Sequence, residues 1–191
     1  SLEGLLGFNL NTRTVGVIGT GRIGSVFCRI MQGFGCRVLA YDPTVNTELQ
    51  SLGVEYTNLV TLFSESDIIS LHCPLTPDTT GLINADNIAR MKRGVYLINT
   101  ARGAMIAEQA LADALQTGHI AGAALDTLTT EPPPANHPLM KWDNVIITPH
   151  VGGSSDLSLT NMGMGAAKNI LAVLRGEPID TTAVKNKAVV N

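Results

Sequence analysis

The sequence predicts an α/β fold, a doubly wound parallel sheet buried on both faces. Three observations carry that expectation. Short apolar runs such as Val15 to Ile18 and Asp67 to Leu71 alternate with segments of helical period. The connections are short, so consecutive strands would run parallel through right-handed crossovers. Hydrophobic residues make up 45% of the 191 residues and charged ones 15%, which suits strands covered on both sides.

The segment Thr14 to Asp42 reads as strand, glycine turn, helix and strand. Gly19, Gly21 and Gly24 stand at G-x-G-x-x-G spacing. One such glycine permits a tight turn, one lets backbone approach a pyrophosphate, and one lets the helix lie close on the strand. The helix N-terminus then offers free N–H groups and a partial positive charge to phosphates. Asp42 stands roughly 20 residues on from the turn, where a carboxylate would accept the adenine ribose hydroxyls. It would also repel a 2′-phosphate, which favours NAD over NADP. The bland reading of Asp42 is a strand-end residue capping a turn with Pro43. Ile23, Phe27, Ile30, Met31 and Phe34 are expected to form the core face of the first helix, and Gly35 to end it.

The remaining elements follow in order. Short helices are expected at Glu48 to Leu52 and Leu59 to Ser64, with a weak strand at Val54 to Tyr56 between them. After the strand Asp67 to Leu71, Pro74 and Pro77 make His72 to Thr80 a loop at a strand's carboxyl end. Asn84 to Met91 reads as helix and Gly94 to Asn99 as strand. Ala107 to Thr117 reads as a helix stopped by Gly118, and Ile120 to Leu125 as a strand. Thr127 to Trp142 is a proline-laden loop, and Val145 to Thr148 the last strand. Ser154 or Ser155 would cap a long final helix reaching about Arg175.

Composition narrows the function classes. A net charge of −3 without a basic block, and 4% aromatic residues, argue against nucleic acid or an anionic membrane as partner. Cys28, Cys36 and Cys73 are odd in number and lack C-x-x-C spacing, so neither a disulfide frame nor a metal site is expected. No signal peptide and no bilayer-length apolar run stand out, and the expected location is cytoplasmic.

Three segments follow predicted strands on the same sheet edge as the glycine turn: NTARG at Asn99 to Gly103, LDTLTTEPPP at Leu125 to Pro134, and TPHVGG at Thr148 to Gly153. Together they bring an Arg, a Glu, an Asp and a His to one edge. An Arg can grip a carboxylate at two points and polarise the adjacent carbonyl. A His can exchange the hydroxyl proton, and a Glu beside it stabilises the charged ring. His119 and His137 read as structural, while His72 is open between a structural and a functional part.

The motifs VGVIGTGRIG, AYDP, HCPLTPDTTGLI, INTARGAMI and ITPHVGG, in that order, resemble the cofactor-binding Rossmann domain of the NAD-dependent D-2-hydroxyacid dehydrogenases. The resemblance covers Gly4 to about Pro178. It implies that Arg102 binds the substrate carboxylate and carbonyl, that His150 is the acid/base, and that Glu131 raises its pKa. It implies that Gly19, Gly21, Arg22, Ile23 and Gly24 cradle the pyrophosphate, with Asp42 on the ribose. Cys73, Pro74 and Thr79 would line the adenosine and phosphate side. Thr100, Ala101 and Asp126 would seat the nicotinamide. Thr127 stands where the family usually has an apolar residue.

By the same resemblance a 2-oxo or 2-hydroxy acid is the expected substrate, and a homodimer formed through this domain the expected assembly. The expected organisation is a lead-in at 1–13, a cofactor domain at 14–178 and a tail at 179–191. The lead-in is too short for the family's second, substrate domain, so a cofactor domain on its own is expected. The same residues also fit a catalytically silent NAD-binding module, or an NADH-sensing scaffold of the corepressor kind.

Overall fold

The computed structural model describes residues 7–179. Among them lie seven parallel strands, β1 (Thr14–Ile18), β2 (Arg37–Tyr41), β3 (Glu55–Tyr56), β4 (Ile68–Leu71), β5 (Val95–Asn99), β6 (Ile120–Leu125) and β7 (Val145–Ile147). They form one sheet in the order β3-β2-β1-β4-β5-β6-β7. The helices are α1 (Arg22–Gly33), α2 (Thr47–Ser51), α3 (Leu59–Glu65), α4 (Ala85–Ala89), α5 (Glu108–Gln116) and α6 (Asp156–Arg175). The chain falls into two compact units, one ending at His150 and the other beginning at Val151. In the second unit, Ser155 caps α6 by accepting the Ser158 N–H at 3.1 Å, and Gly176 ends it at φ +66°.

Side chains that alternate along each strand build two cores, one on each face of the sheet. Val15 and Val17 of β1, Val38 and Ala40 of β2, and Ile68 of β4 pack with Cys28 of α1 and Leu49 of α2. Ile18, Leu39, Ile69 and Leu71 point the other way, toward Leu62 and Phe63 of α3, Ile88 of α4 and Leu111 of α5. Both faces are therefore buried, as the runs of apolar residues require. Each fully buried Leu or Ile contributes about 1.5–3 kcal/mol relative to exposure. Gly16 lets α3 close on β1, because an added Cβ would lie 2.8 Å from Leu62 Cδ2.

The core face of α1 differs from expectation. Gly24 and Cys28 are buried and Phe27 and Met31 partly so, whereas Ile23, Ile30 and Phe34 are half or more exposed. The glycine turn sets the helix phase. Gly24 has to lie against the Gly19 carbonyl, where any Cβ would collide. That turns Gly24, Cys28 and Met31 inward at i, i+4 and i+7, and carries Ile23 and Ile30 to the outside. Gly35 ends the helix at φ +77°, as expected. Leu10–Thr12 of the lead-in form a single 3₁₀ turn.

The order of the strands reverses between β1 and β4. Chain leaves β1 for one side of the sheet and β4 for the other, so a crevice opens at their carboxyl ends. The loops after β1, β2, β4, β5, β6 and β7 all gather at this edge.

Candidate active site

The glycine turn after β1 packs closely on one side and is open on the other. Gly19 adopts φ +94°, and a Cβ there would sit 2.5 Å from Cys73 N, so the turn lies directly against the end of β4. At Gly21 an added Cβ would meet nothing within 4 Å. Gly21 is exposed at the start of α1, where the first helix N–H groups have no partner within the helix.

Asp42 caps the turn at the end of β2. Its Oδ2 accepts the Thr20 N–H at 2.7 Å, inside the glycine turn, and its Oδ1 accepts the Thr44 N–H at 2.9 Å. The carboxylate therefore caps the turn at Pro43 and braces the glycine turn. Each oxygen keeps a lone pair for a ribose hydroxyl. Tyr56 adds a second brace by donating its hydroxyl to Thr20 Oγ1 at 2.9 Å. Sequence reasoning missed Tyr56, since nothing in a two-residue strand signals that its side chain reaches across β2.

Three cavities run along this edge and share walls. The first, about 540 Å³, is lined by Gly19, Asp42, Cys73, Pro74 and Thr79, among others. Thr79 shapes it through the loop, its hydroxyl donating to Pro74 O at 2.7 Å and accepting from Thr76 N at 2.8 Å. Cys73 and Pro74 also line the second cavity, about 590 Å³, with Arg22, Ile23, Thr100, Ala101 and Arg102. Arg102 and Leu75 continue into the third, about 230 Å³, which holds Glu131 and His150. The result is one trough from Asp42 to His150. Asp126 stands outside it, in an adjoining apolar cavity that also meets Glu131 and His150, and accepts the Thr148 hydroxyl at 2.5 Å.

Asn99 presents Arg102. The fully buried amide accepts the Ala101 N–H at 2.9 Å and donates to the Arg102 carbonyl at 2.8 Å, which folds the turn on itself. Gly103 then lets this turn touch the loop after β6, since a Cβ there would strike the Leu128 carbonyl. Without that approach Arg102 would stand apart from Glu131. Gly103 could have been suspected from its place in the NTARG motif, but its partner is distant in sequence.

Glu131 and His150 form a direct pair. His150 Nδ1 lies 2.8 Å from Glu131 Oε2, and Glu131 Oε1 accepts the Leu128 N–H at 2.9 Å. The His150 hydrogen bond holds the Glu131 carboxyl below its ordinary value, helped by the Leu128 N–H. A carboxylate that stays ionised is the acceptor, so Nδ1 carries the proton and Nε2 is left as the other ring nitrogen. His150 also adopts φ +53°, the left-handed region that a non-glycine residue enters at a cost. The pairing with Glu131 supports that geometry.

The other histidines have local partners. His119 Nε2 lies 3.1 Å from Met91 O, and His137 Nε2 lies 3.1 Å from Glu108 Oε2. His72 packs its ring at 4.8 Å on Phe27 and pairs with Ser70 Oγ at 2.9 Å. Burial pushes its pKa down, which favours the neutral ring beside the glycine turn. Among the described residues no cluster of His, Cys, Asp or Glu is suited to a metal ion, and no helix is long and apolar enough to cross a membrane.

Residues 2–152 match the family model for the NAD binding domain of D-isomer specific 2-hydroxyacid dehydrogenases. The chain belongs to that family. Its match to glyoxylate reductase of Thermofilum pendens is 43% identical over 175 residues, covering 91% of this chain and 52% of the relative. With D-lactate dehydrogenase of Escherichia coli it shares 51% identity over 131 residues, 69% of this chain and 40% of the relative. The crystal structure of D-lactate dehydrogenase from Aquifex aeolicus, complexed with NAD and lactic acid, superposes with a TM-score of 0.85. That match has 41% identity and covers 90% of this chain and 56% of the other. The chain spans about half the length of these relatives. As an NAD-binding domain of the D-2-hydroxyacid dehydrogenases, it carries the glycine turn, the Arg102 loop and the Glu131–His150 pair on one edge.

Proposed function

We propose that this chain supplies the cofactor site and the reacting side chains of an enzyme that interconverts D-2-hydroxy acids and 2-oxo acids. The observation that carries the reading is the shared wall at Arg102. One side chain borders both the cavity continuous with the glycine turn and the cavity holding Glu131 and His150.

NAD fits the trough. Gly19, Gly21, Arg22, Ile23 and Gly24 would hold its pyrophosphate, Asp42 its adenine ribose, and Cys73, Pro74 and Thr79 the adenosine side. Thr100 and Ala101 would seat its nicotinamide ring, with Asp126 reaching it only from the adjoining cavity outside the trough. When bound, the cofactor supplies the hydride or takes it up. Asp42 selects NAD, because a 2′-phosphate would meet a carboxylate already committed to the Thr20 and Thr44 N–H groups.

The protein's side chains do the rest. Arg102 grips the substrate carboxylate at two points and draws electron density from the neighbouring carbonyl. His150, charged, gives the Nε2 proton to that carbonyl oxygen, or takes it back from the hydroxyl in the reverse direction. Glu131 stays ionised throughout, stabilises the imidazolium and fixes Nδ1–H as its own donor.

The working form is a cytoplasmic homodimer of domains bounded at 14–178. The exposed Val26, Ile30 and Phe34 on α1 support self-association, and a sedimentation profile that stays monomeric at high concentration would oppose it. The reaction is tested by adding a panel of 2-oxo acids to protein and NADH and following nicotinamide absorbance. Arg102→Ala is expected to weaken kcat/KM by about 10- to 100-fold, mainly through KM, as loss of charged hydrogen bonds implies. His150→Ala is expected to lower kcat by about 10²- to 10⁴-fold. Wild-type rates from either variant would remove these assignments.

A further inference from the structure

We infer that Glu108 and His137 are positioning residues for His150, acting through the loop that carries Glu131. Glu108 opens α5, and its carboxylate reaches that loop at two places. Oε1 accepts the Thr129 N–H at 2.8 Å, and Oε2 lies 3.1 Å from His137 Nε2. The two contacts flank Glu131 in the chain, so one carboxylate holds both ends of the segment that presents it.

The pair is well enclosed, with side chains 18% and 5% exposed for Glu108 and His137. Its chemistry is also directional. His137 Nδ1 accepts the Leu139 N–H at 3.3 Å, so the ring proton sits on Nε2 and is donated to Glu108. A buried ring with both nitrogens engaged does not rotate freely, and an anionic acceptor makes the contact stronger than a neutral one.

Glu131 itself is 38% exposed, and His150 49%. An exposed ion pair holds its geometry weakly by its own energy. The clamp supplies what the pair lacks. With the loop fixed, Glu131 Oε2 remains at His150 Nδ1 and keeps the proton there, which leaves Nε2 for the substrate. Two carboxylate–imidazole pairs thus stand in series, one buried that sets the loop and one open that reacts.

This inference rests on the proposed part of His150, and its test reads His150 without requiring turnover. The ring nitrogens of His150 are followed by nitrogen NMR in this chain, which distinguishes Nδ1–H from Nε2–H forms. Glu131→Ala serves as the reference for a ring that has lost its acceptor. Glu108→Ala is expected to raise the Nε2–H to Nδ1–H ratio by about fivefold, the equivalent of one ordinary hydrogen bond. Glu108→Gln keeps the Thr129 contact and should give a smaller change, which preserves the test if the Ala variant does not fold. In a Glu131→Ala background, adding Glu108→Ala should change the ratio no further, because the effect passes through Glu131. NADH affinity should stay within about twofold, since no contact to the glycine turn is lost. A lower Tm with the His150 ratio unchanged, or an equal change in the Glu131→Ala background, would overturn the inference. Failure of wild-type protein to bind NADH would instead overturn the cofactor reading, while the tautomer cycle still tests the clamp separately.

Discussion

Replacing Gly21 by Ala adds one methyl group to the glycine turn, at the position where the structure leaves open space. Nothing lies within 4 Å of the new Cβ, and the backbone at φ −64°, ψ −160° is extended, as an Ala can be. Two small stability effects oppose each other. Ala is a poorer N-cap than Gly by a few tenths to about 1 kcal/mol, and the unfolded chain loses about 0.4–1 kcal/mol of entropic advantage. The net should lie within about 1 kcal/mol, a change in Tm of at most about 4 °C. Cofactor binding is another matter, because the methyl stands in the open space beside the helix N–H groups where the proposed pyrophosphate site lies. Losing one such charged hydrogen bond costs about 1.5–3 kcal/mol, or roughly 10- to 150-fold in Kd. Gly24→Ala makes the contrasting case. Its Cβ would collide with the Gly19 carbonyl and lie 3.1 Å from His72 Cβ, so this change should destabilise the fold by about 1–3 kcal/mol. Thermal melts paired with NADH fluorescence titrations separate the two. A Gly21→Ala protein that melts like wild type and binds NADH equally well would refute the placement of the pyrophosphate at Gly21.

Other expectations follow from particular contacts. Asp42→Ala should narrow the preference for NADH over NADPH, measured as the ratio of the two Kd values. It should also lower Tm, since the Thr20 and Thr44 N–H groups lose their acceptor. Thr127 is 3% exposed and its Oγ1 has no hydrogen-bond partner, so Thr127→Val should raise stability by about 1 kcal/mol in denaturant unfolding. Stability should also fall in acid. Glu55 is held below its ordinary value by hydrogen bonds from Arg37, and Glu131 first by His150. For Asp67, burial pushes upward but is outweighed by the Thr14 N–H and Lys92. Carboxyls lowered on folding stabilise above their unfolded values near about 4, and that stability drains as pH falls through the folded values. In alkali, Cys28 acts with the opposite sense. Burial pushes its thiol up to about 11, so the unfolded chain ionises first and stability falls as pH rises from 9.0 toward that value. Denaturant melts across pH should show both limbs, and Cys28→Ala should flatten the alkaline one.

Much of the fold was legible because its signals are local. Strand runs, proline loops and glycine stops placed nearly every element within a residue or two, and β6 has the expected bounds, Ile120–Leu125. The phase of α1 was not legible. Apolar residues lie on several sides of that helix, and which side turns inward depends on Gly24 meeting Gly19, a contact between two residues that carry no hydropathy signal. The site divides in the same way. Arg102, Glu131 and His150 could be named from motifs after strands. Asn99 holds Arg102 through local bonds to Ala101 and Arg102, but Gly103 and Glu108 could not be named, since they act through the loop after β6, which is distant in sequence. At Asp42 the capping reading is the one seen in the structure, and one lone pair on each oxygen stays open to the ribose contact that the motif implies.

The most direct measurement is a fluorescence titration of NADH into the folded chain, repeated with NADPH. Saturable NADH binding that Gly21→Ala weakens by roughly 10-fold or more, with NADPH far weaker on the wild-type protein, is the expected result. Folded protein that binds neither nucleotide, or binds both alike, would contradict the reading of Gly19 to Asp42 as an NAD site.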